Sequence, residues 1–313
     1  MARRNWGERW SVLAPWLFVL MWSSGFVGAK YGMPYAPPLT FLVLRMLGVI
    51  LVMGVLVWLA RLRWPGWPAV LHAAVAGLML QACYLGGVFA AISHGLSAGM
   101  VAVIAGLQPV LTAAVAPLWL GERVSGRQWL GFVLGFVGVV LVVGSRLAPG
   151  SESAGGVGFA LLALFGISAG TLYQKRFVTV IDPRLSALIQ YGATLCVLLP
   201  LAAVSEDMRV RWTGDFIFAL AFLVLVLSVG AVLLLLGLIR HGVATRVASL
   251  FFLVPPTTAL IAWAVFGESL GRLALLGMAV AAVGVALVNR GAGAARGEAG
   301  LIQNKVGGRA SAP

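Results

Sequence analysis

The sequence predicts an all-α polytopic membrane protein with ten transmembrane helices, arranged as two inverted five-helix repeats. Three observations lead to this prediction: an apolar composition, ten separate apolar runs, and a similarity between the two halves of the chain. Of the 313 residues, 61% are hydrophobic and only 10% are charged, and the mean hydropathy is +1.02. A water-soluble domain carries about 25% charged residues, so lipid is the expected solvent for this chain.

Ten apolar runs are long enough to cross a membrane core of about 30 Å, for which a helix needs about 20 residues. The runs cover 12–30, 39–60, 69–92, 97–119, 128–145, 157–174, 185–204, 215–239, 243–266 and 272–289. The third and fourth runs are separated only by SHGLS, and the eighth and ninth only by RHGVA. After Arg290, residues 291–313 are rich in Gly and Ala and are expected to form a disordered cytoplasmic tail.

The basic residues predict the orientation of the ten runs. With the N-terminus in the cytoplasm, sixteen of the 22 Lys and Arg residues fall on the cytoplasmic side and five outside, and Arg45 lies within a run. This bias follows the positive-inside rule and predicts that both termini are cytoplasmic. The net charge of +13 is therefore not expected to bind nucleic acid, because no part of the chain is both soluble and basic.

The two cysteines, Cys83 and Cys196, each lie within an apolar run and have no metal-binding spacing. Both are interpreted as small buried hydrophobic residues. The sequence therefore predicts no disulfide, no metal site and no cofactor.

The second half of the chain repeats the first at an offset of 145 to 147 residues. The matched pairs are Ser23 with Ser168, Gly25 with Gly170, Lys30 with Lys175, His94 with His241, Pro109 with Pro255, Thr112 with Thr258, and Gly121-Glu122 with Gly267-Glu268. Each repeat holds five helices, an odd number, so each helix of the second half is expected to cross the bilayer opposite to its partner. Inverted repeats are typical of secondary transporters, which bind their substrate near the membrane midplane.

Both halves contain the same motif, which consists in order of a proline, about ten apolar residues, Gly-Glu and a glycine-rich helix. The segments are Pro109…Gly121-Glu122-Arg123…Gly131…Gly138 and Pro255…Gly267-Glu268…Gly277…Gly284. This pattern resembles the EamA-type repeat of the drug/metabolite transporter superfamily, with one repeat at 11–145 and the second at 157–290. The resemblance implies a ten-helix bundle in a bacterial inner membrane. It also implies export or exchange of a small metabolite, such as an amino acid, by alternating access.

Two Gly-x-Ser-x-Gly sequences, GLSAG at 95–99 and GISAG at 166–170, raise the alternative of a hydrolase. That motif needs a strand, a sharp turn and a helix, whereas Ser97 here opens the fourth predicted helix and Ser168 lies inside the sixth. Small residues that allow close helix packing are the favoured interpretation, and no enzyme is predicted. An intramembrane enzyme using His94 or His241, a membrane scaffold, and a nucleotide-sugar or lipid-type carrier of the same superfamily remain the alternatives.

Candidate substrate-binding residues are the polar and aromatic side chains within the runs. They are Trp22, Ser23, Lys30, Arg45, Gln81, Tyr84, Gln108, Ser168, Gln190, Phe251 and Phe252. This small set suits an amphipathic solute with an apolar remainder. Pro109, Pro255 and Pro256 are predicted helix breaks and hinges, because proline frees the carbonyl four residues earlier.

Arg45 is the one charge well inside a run, where insertion costs about 2.5–3.5 kcal/mol at a helix centre. Together with Lys30, it is expected to form an outer cationic pair that attracts a carboxylate; snorkelling to the interface is the alternative. Glu122 and Glu268 lie at helix ends, where capping or a contact with Arg123 or Arg272 is expected. No Asp or Glu lies mid-membrane, which favours exchange or facilitated flux over proton coupling through a carboxylate.

Coupling through His94 or through a proton carried by the substrate remains open. The expected partners are a small-molecule substrate and the lipid bilayer, and the expected state is a monomer or homodimer.

Overall fold

The computed structural model describes residues 2–120, 126–144, 154–178, 181–231, 234, 253–268, 271–284 and 286–287, and these contain helices but no strand. The helices are α1 (Ala2–Gly32), α2 (Pro38–Leu59), α3 (Trp67–Ser93), α4 (Ala98–Ala105 and Gln108–Leu120), α5 (Gly126–Gly144), α6 (Ala154–Phe177), α7 (Pro183–Ser205), α8 (Gly214–Ala231), α9 (Val254–Phe266) and α10 (Arg272–Gly284). Each predicted run overlaps one of these helices, so the all-α prediction is confirmed. The predicted tail at 291–313 lies outside the described residues.

By length and composition, α2, α3, α7, α8 and the Gly155–Phe177 part of α6 can each cross a membrane. Large apolar side chains cover the outside of the bundle; Leu51, Trp58 and Val204, for example, are 70%, 75% and 89% exposed. The fully buried residues include polar ones, such as Thr194 and Thr258. An apolar outer surface around a core that also holds polar side chains is what a lipid solvent favours.

Each of the helices α1 to α4 packs against at least two helices of the bundle. α1 packs against α8 and α9, α2 against α7 and α8, α3 against α6 and α7, and α4 against α6 and α9. α5 meets α10 through glycines of the sequence motif: a Cβ on Gly138 would lie 2.7 Å from Ala281 N, and one on Gly284 would lie 2.5 Å from Gly135 N. Small residues therefore bring these two backbones into direct contact.

α4 is interrupted directly before Gln108 and Pro109, where Gly106 and Leu107 form a turn. Gly106 lies against α9, because a Cβ at this position would be 2.7 Å from Pro255 Cγ. Pro255 and Pro256 occupy the first turn of the described part of α9, where their missing N–H groups cost no helix hydrogen bond. The carbonyls of Phe251 and Phe252, which these prolines are predicted to free, lie outside the described residues.

The start of α2 is capped by a residue at the end of α7. Glu206 accepts hydrogen bonds from the backbone N–H groups of Leu39 (2.9 Å) and Thr40 (2.7 Å), and from the Thr40 hydroxyl (2.7 Å). A carboxylate at a helix N-terminus satisfies free donors and complements the helix dipole. Glu206 thereby joins α2 to α7 at one end of the bundle.

Replacing Glu206 by Ala is expected to destabilise the protein by about 0.5–2 kcal/mol, because α2 loses its cap. The measurement is the thermal unfolding midpoint of the full chain in detergent. The matched control is Asp207→Ala, since the Asp207 side chain is 61% exposed and contacts the nearby Arg209, at 3.2 Å from its backbone N and 3.9 Å from its Nε. An equal effect of the two substitutions contradicts the capping role.

Candidate functional site

Two helices contain π-helical segments, Leu78–Leu85 in α3 and Phe222–Ala231 in α8. Long π segments are rare, and π-helical turns are frequent at functional sites. The two segments lie at matching positions of the predicted repeats, 144 to 146 residues apart. No sequence signal indicated them, because apolar periodicity does not separate α from π geometry.

Arg45 of α2 reaches between these segments. Its Nε and Nη2 atoms both donate to Ser228 Oγ, at 3.3 and 3.1 Å, and the Tyr191 hydroxyl donates to the same oxygen at 3.2 Å. Ser228 belongs to the π segment of α8. Tyr84, in the π segment of α3, is an electrostatic neighbour of Arg45. We call these four residues the Arg45 cluster. Each is at most 9% exposed.

α1 and α9 are joined by polar contacts between residues 23–30 of α1 and residues 254–268, which include α9 and its C-terminal end. Ser23 Oγ donates to the Val254 carbonyl at 3.2 Å, and Thr258 Oγ1 donates to the Ser23 carbonyl at 3.3 Å. Nearer the helix ends, Lys30 forms an ion pair with Glu268. We call Ser23, Val254, Thr258, Lys30 and Glu268 the α1–α9 clamp.

The clamp corrects two expectations from the sequence. Lys30 was expected beside Arg45, and Glu268 in a cap or beside Arg272; the structure instead joins Lys30 to Glu268. The reason is that α1 and α9 pack side by side, which places the two charges at neighbouring helix ends. Lys30 Nζ also lies 5.0 Å from the centre of the Phe266 ring. The charge of Lys30 is therefore neutralised within the protein.

α4 and α6, the predicted repeat partners of α9 and α1, are joined differently. Gln108 Nε2 donates to Thr171 Oγ1 at 2.9 Å. Ser168 and Thr112 are the repeat partners of Ser23 and Thr258, and their hydroxyl oxygens are buried without a hydrogen-bond partner among the described residues. The Ser and Thr hydroxyls of one repeat position thus form interhelical hydrogen bonds between α1 and α9. The corresponding Ser and Thr hydroxyls on α6 and α4 form none among the described residues.

The other candidates have separate surroundings. Gln190 donates to Gln174 Oε1 (3.1 Å) and to Ser186 Oγ (3.0 Å), and so links α7 to α6. Trp22 is partly buried with its ring 5.4 Å from the Phe18 ring, and Gln81 is partly buried in the α3 π segment. Phe251 and Phe252 lie outside the described residues.

Neither serine motif resembles a catalytic pair in the described part of the chain. Ser97 caps α4 by accepting a hydrogen bond from the Met100 backbone N–H at 3.2 Å. Gly95, with φ +86°, makes the turn between α3 and α4, and His94 Nδ1 lies 2.8 Å from the Ala90 carbonyl oxygen. These are interactions at helix ends, whereas the sequence motif was interpreted as small residues for close helix packing.

Sequence reasoning missed Ser228 and Tyr191 as partners of Arg45. Ser228 was detectable in principle, because it is the one polar residue between Phe216 and Ile239. A lone hydroxyl in an apolar span needs a buried partner, and Arg45 was the obvious unpaired group.

Comparison with known proteins identifies the family. A model of the EamA-like transporter family matches residues 9–144 and again 154–290. The chain belongs to the EamA-like transporter family. It is therefore a membrane-embedded protein of a transporter family, and the predicted family resemblance is confirmed.

Three relatives illustrate the range of similarity. The chain is 30% identical over 276 residues to an uncharacterized transporter, YvbV, of Bacillus subtilis, covering 87% of this chain and 88% of the relative. It is 23% identical to an uncharacterized inner membrane transporter, YedA, of Escherichia coli K12, with the same coverage. It is 26% identical to a probable amino-acid metabolite efflux pump of Salmonella typhimurium, covering 86% of this chain and 91% of the pump.

A solved crystal structure shares the fold, with a TM-score of 0.58 at 20% sequence identity, and covers 88% of this chain and 95% of that protein.

The α3 π segment depends on close packing against Gly166 of α6. A Cβ on Gly166 would lie 2.7 Å from Tyr84 N, 2.8 Å from Cys83 Cβ and 2.8 Å from Met79 O. Gly166→Ala is expected to destabilise the protein by about 1–3 kcal/mol, because backbone atoms must move to accept the methyl group. The thermal unfolding midpoint in detergent measures this effect.

The control is Gly158→Ala in the same helix, where a Cβ would meet nothing within 4 Å. This substitution should leave the midpoint unchanged or raise it, since Ala is the better helix former. A Gly166→Ala midpoint equal to that of the control contradicts the close contact.

Proposed function

We propose that this protein is a secondary transporter that moves a small amphipathic metabolite, an amino acid or a similar solute, by export or exchange. It works by alternating access across a bacterial inner membrane, with ten spans and both termini cytoplasmic. The spans form two inverted repeats, 11–145 and 157–290. The observation that carries this proposal is the difference between the α1–α9 clamp and its repeat counterpart on α4 and α6.

The helix contacts support the inverted arrangement. In an inverted repeat, α1 corresponds to α6, α2 to α7, α3 to α8, α4 to α9 and α5 to α10. Exchanging partners turns the contact α1–α8 into α6–α3 and the contact α1–α9 into α6–α4, and all four contacts are present in the structure. The contacts α2–α7 and α4–α9 are unchanged by the exchange, and both are also present. The π segments of α3 and α8 exchange in the same way. A two-fold axis in the membrane plane would produce this set of contacts.

The hydrogen bonds break this symmetry. Between α1 and α9, Ser23 and Thr258 are bonded, whereas their partners Ser168 and Thr112 are buried without a bond among the described residues. In the proposed orientation, the α1–α9 clamp closes the outer half of the pathway. The unbonded pair marks the inner half, which is not closed in the same way in this conformation.

In the opposite state, the inner half closes through equivalent contacts. Ser168 and Thr112 then bond between α6 and α4, and Lys175 pairs with Glu122, while the α1–α9 clamp opens. Lys175 is exposed in this conformation, and Glu122 lies outside the described residues. Interhelical hydrogen bonds in membrane proteins are worth about 0.6 kcal/mol on average, so a bound solute can shift such a balance.

The nature of the solute is supported by two observations. One relative is named a probable amino-acid metabolite efflux pump. In addition, the buried polar groups are few and mostly neutral, which suits an amphipathic solute better than a highly charged one. No Asp or Glu lies in the middle of an apolar run, so exchange or uncoupled flux is favoured over proton coupling through a buried acid.

Flux and crosslinking together test this function. The chain is reconstituted into liposomes after Cys83 and Cys196 are replaced by Ala, and uptake of each labelled amino acid is measured. Two variants carry cysteine pairs, Ser23→Cys with Thr258→Cys and Thr112→Cys with Ser168→Cys. We expect oxidation to stop flux in both and reduction to restore it, because each crosslink holds one half of the pathway closed.

The control variants carry Ser23→Cys or Ser168→Cys alone and should keep their flux under oxidation. Flux that continues through either crosslinked protein contradicts alternating access by these helices. The absence of flux for every amino acid in the parent protein contradicts the proposed solute class.

A further inference from the structure

We propose that Arg45 is the binding site for the carboxylate of the transported solute, with Tyr84, Tyr191 and Ser228 completing the site. This inference rests on the proposed function only in naming the bound molecule as the transported one. The binding site itself follows from the hydrogen bonding, charge and burial of the Arg45 cluster.

The Arg45 cluster has more donors than acceptors. A guanidinium has five N–H donors and no acceptor. Among the described residues, Arg45 donates two hydrogen bonds, both to the same oxygen, Ser228 Oγ. This oxygen also accepts a hydrogen bond from the Tyr191 hydroxyl. Three donors therefore share one neutral acceptor. An anion with two acceptor oxygens would satisfy these groups far better than a third hydroxyl.

Among the residues that the structure describes, the Arg45 cluster also has no countercharge. Four helices meet there, α2, α3, α7 and α8, and their sequences contain one carboxylate, Asp215. Asp215 lies in the first turn of α8 and accepts from the Tyr31 hydroxyl (2.9 Å) and the Tyr35 hydroxyl (3.0 Å). The segment from Phe216 to Gly267 contains no Asp or Glu either. A buried charge without a partner is costly, and a bound solute can supply the missing charge.

Snorkelling does not relieve this cost. Arg45 is 5% exposed and its guanidinium is held by Ser228, which is 4% exposed and belongs to another helix. Arg45 also lies seven residues after Pro38, about 10 Å along the axis from the start of α2. The side chain therefore points into the bundle, where transporter sites are found.

The charge of the Arg45 cluster selects a carboxylate over a phosphate. Arg45 is the single cation of the cluster, and Lys30, the other cation predicted for the site, is paired with Glu268. One guanidinium matches one carboxylate in a bidentate pair, whereas a dianionic phosphate needs further positive charge. The Tyr84 and Tyr191 rings give the remainder of the solute an amphipathic surface.

Ligand-dependent thermal unfolding of the purified full chain in detergent tests this site. The probes are the twenty standard L-amino acids and, for each one that stabilises the protein, its C-terminal amide. The variants are Arg45→Gln and, as matched control, Arg209→Gln, whose side chain is 89% exposed on a loop. Titrations of the midpoint give an affinity for each probe.

We expect amino acids, but not their amides, to raise the wild-type midpoint. Arg45→Gln should weaken this binding by about tenfold or more, because a charge-assisted hydrogen bond is lost, and Arg209→Gln should retain it. Without ligand, Arg45→Gln should be as stable as the wild type or more stable, because an unbalanced buried charge is removed.

Three results would overturn the carboxylate site. They are equal binding of acids and amides, unchanged affinity in Arg45→Gln, and no stabilisation by any amino acid. A loss of stability in ligand-free Arg45→Gln, with binding unaffected, would assign Arg45 a structural role instead. Binding through Arg45 without flux in liposomes would contradict the proposed transport function and leave the carboxylate site standing.

Discussion

The bilayer interior offers no hydrogen-bond partners, and the rest of the structure depends on this constraint. Polar groups inside the bundle therefore depend on partners within the protein, as Ser23 has on α9 and Arg45 on α8. The Ser168 and Thr112 hydroxyls have no partner among the described residues, and under the proposed mechanism the opposite state of the same helices would supply one.

Most of the fold was predictable because lipid imposes strong local rules. A helix must be apolar and about 20 residues long to cross, so the ten runs located the helices. Gly138 and Gly284, which in the sequence indicated only the repeat and the family resemblance, lie where α5 and α10 touch. The interruption of α4 was predicted at Pro109 because proline removes a helix hydrogen bond. The boundaries were less accurate, since short polar joints such as SHGLS fix them only loosely.

The candidate site was predictable only in part, because partner choice is a long-range property. Arg45 was singled out as a buried charge, yet its acceptor Ser228 lies 183 residues away and depends on how α2 meets α8. The pairing of Lys30 with Glu268 follows equally from the contact of α1 with α9, which no local pattern encodes. The π segments of α3 and α8 left no trace in hydropathy. Residue types thus indicated which groups need partners, but not which partners they find.

The opposite orientation of the two repeats is the central claim, and the positions of Arg127 and Arg272 test it most directly. Both residues are exposed near the starts of α5 and α10. Each is replaced by Cys in a chain without Cys83 and Cys196, and intact bacterial spheroplasts are treated with a membrane-impermeant maleimide. The account predicts labelling at position 272 before permeabilisation and at position 127 only afterwards. Labelling of both positions from the same side of the membrane would contradict it.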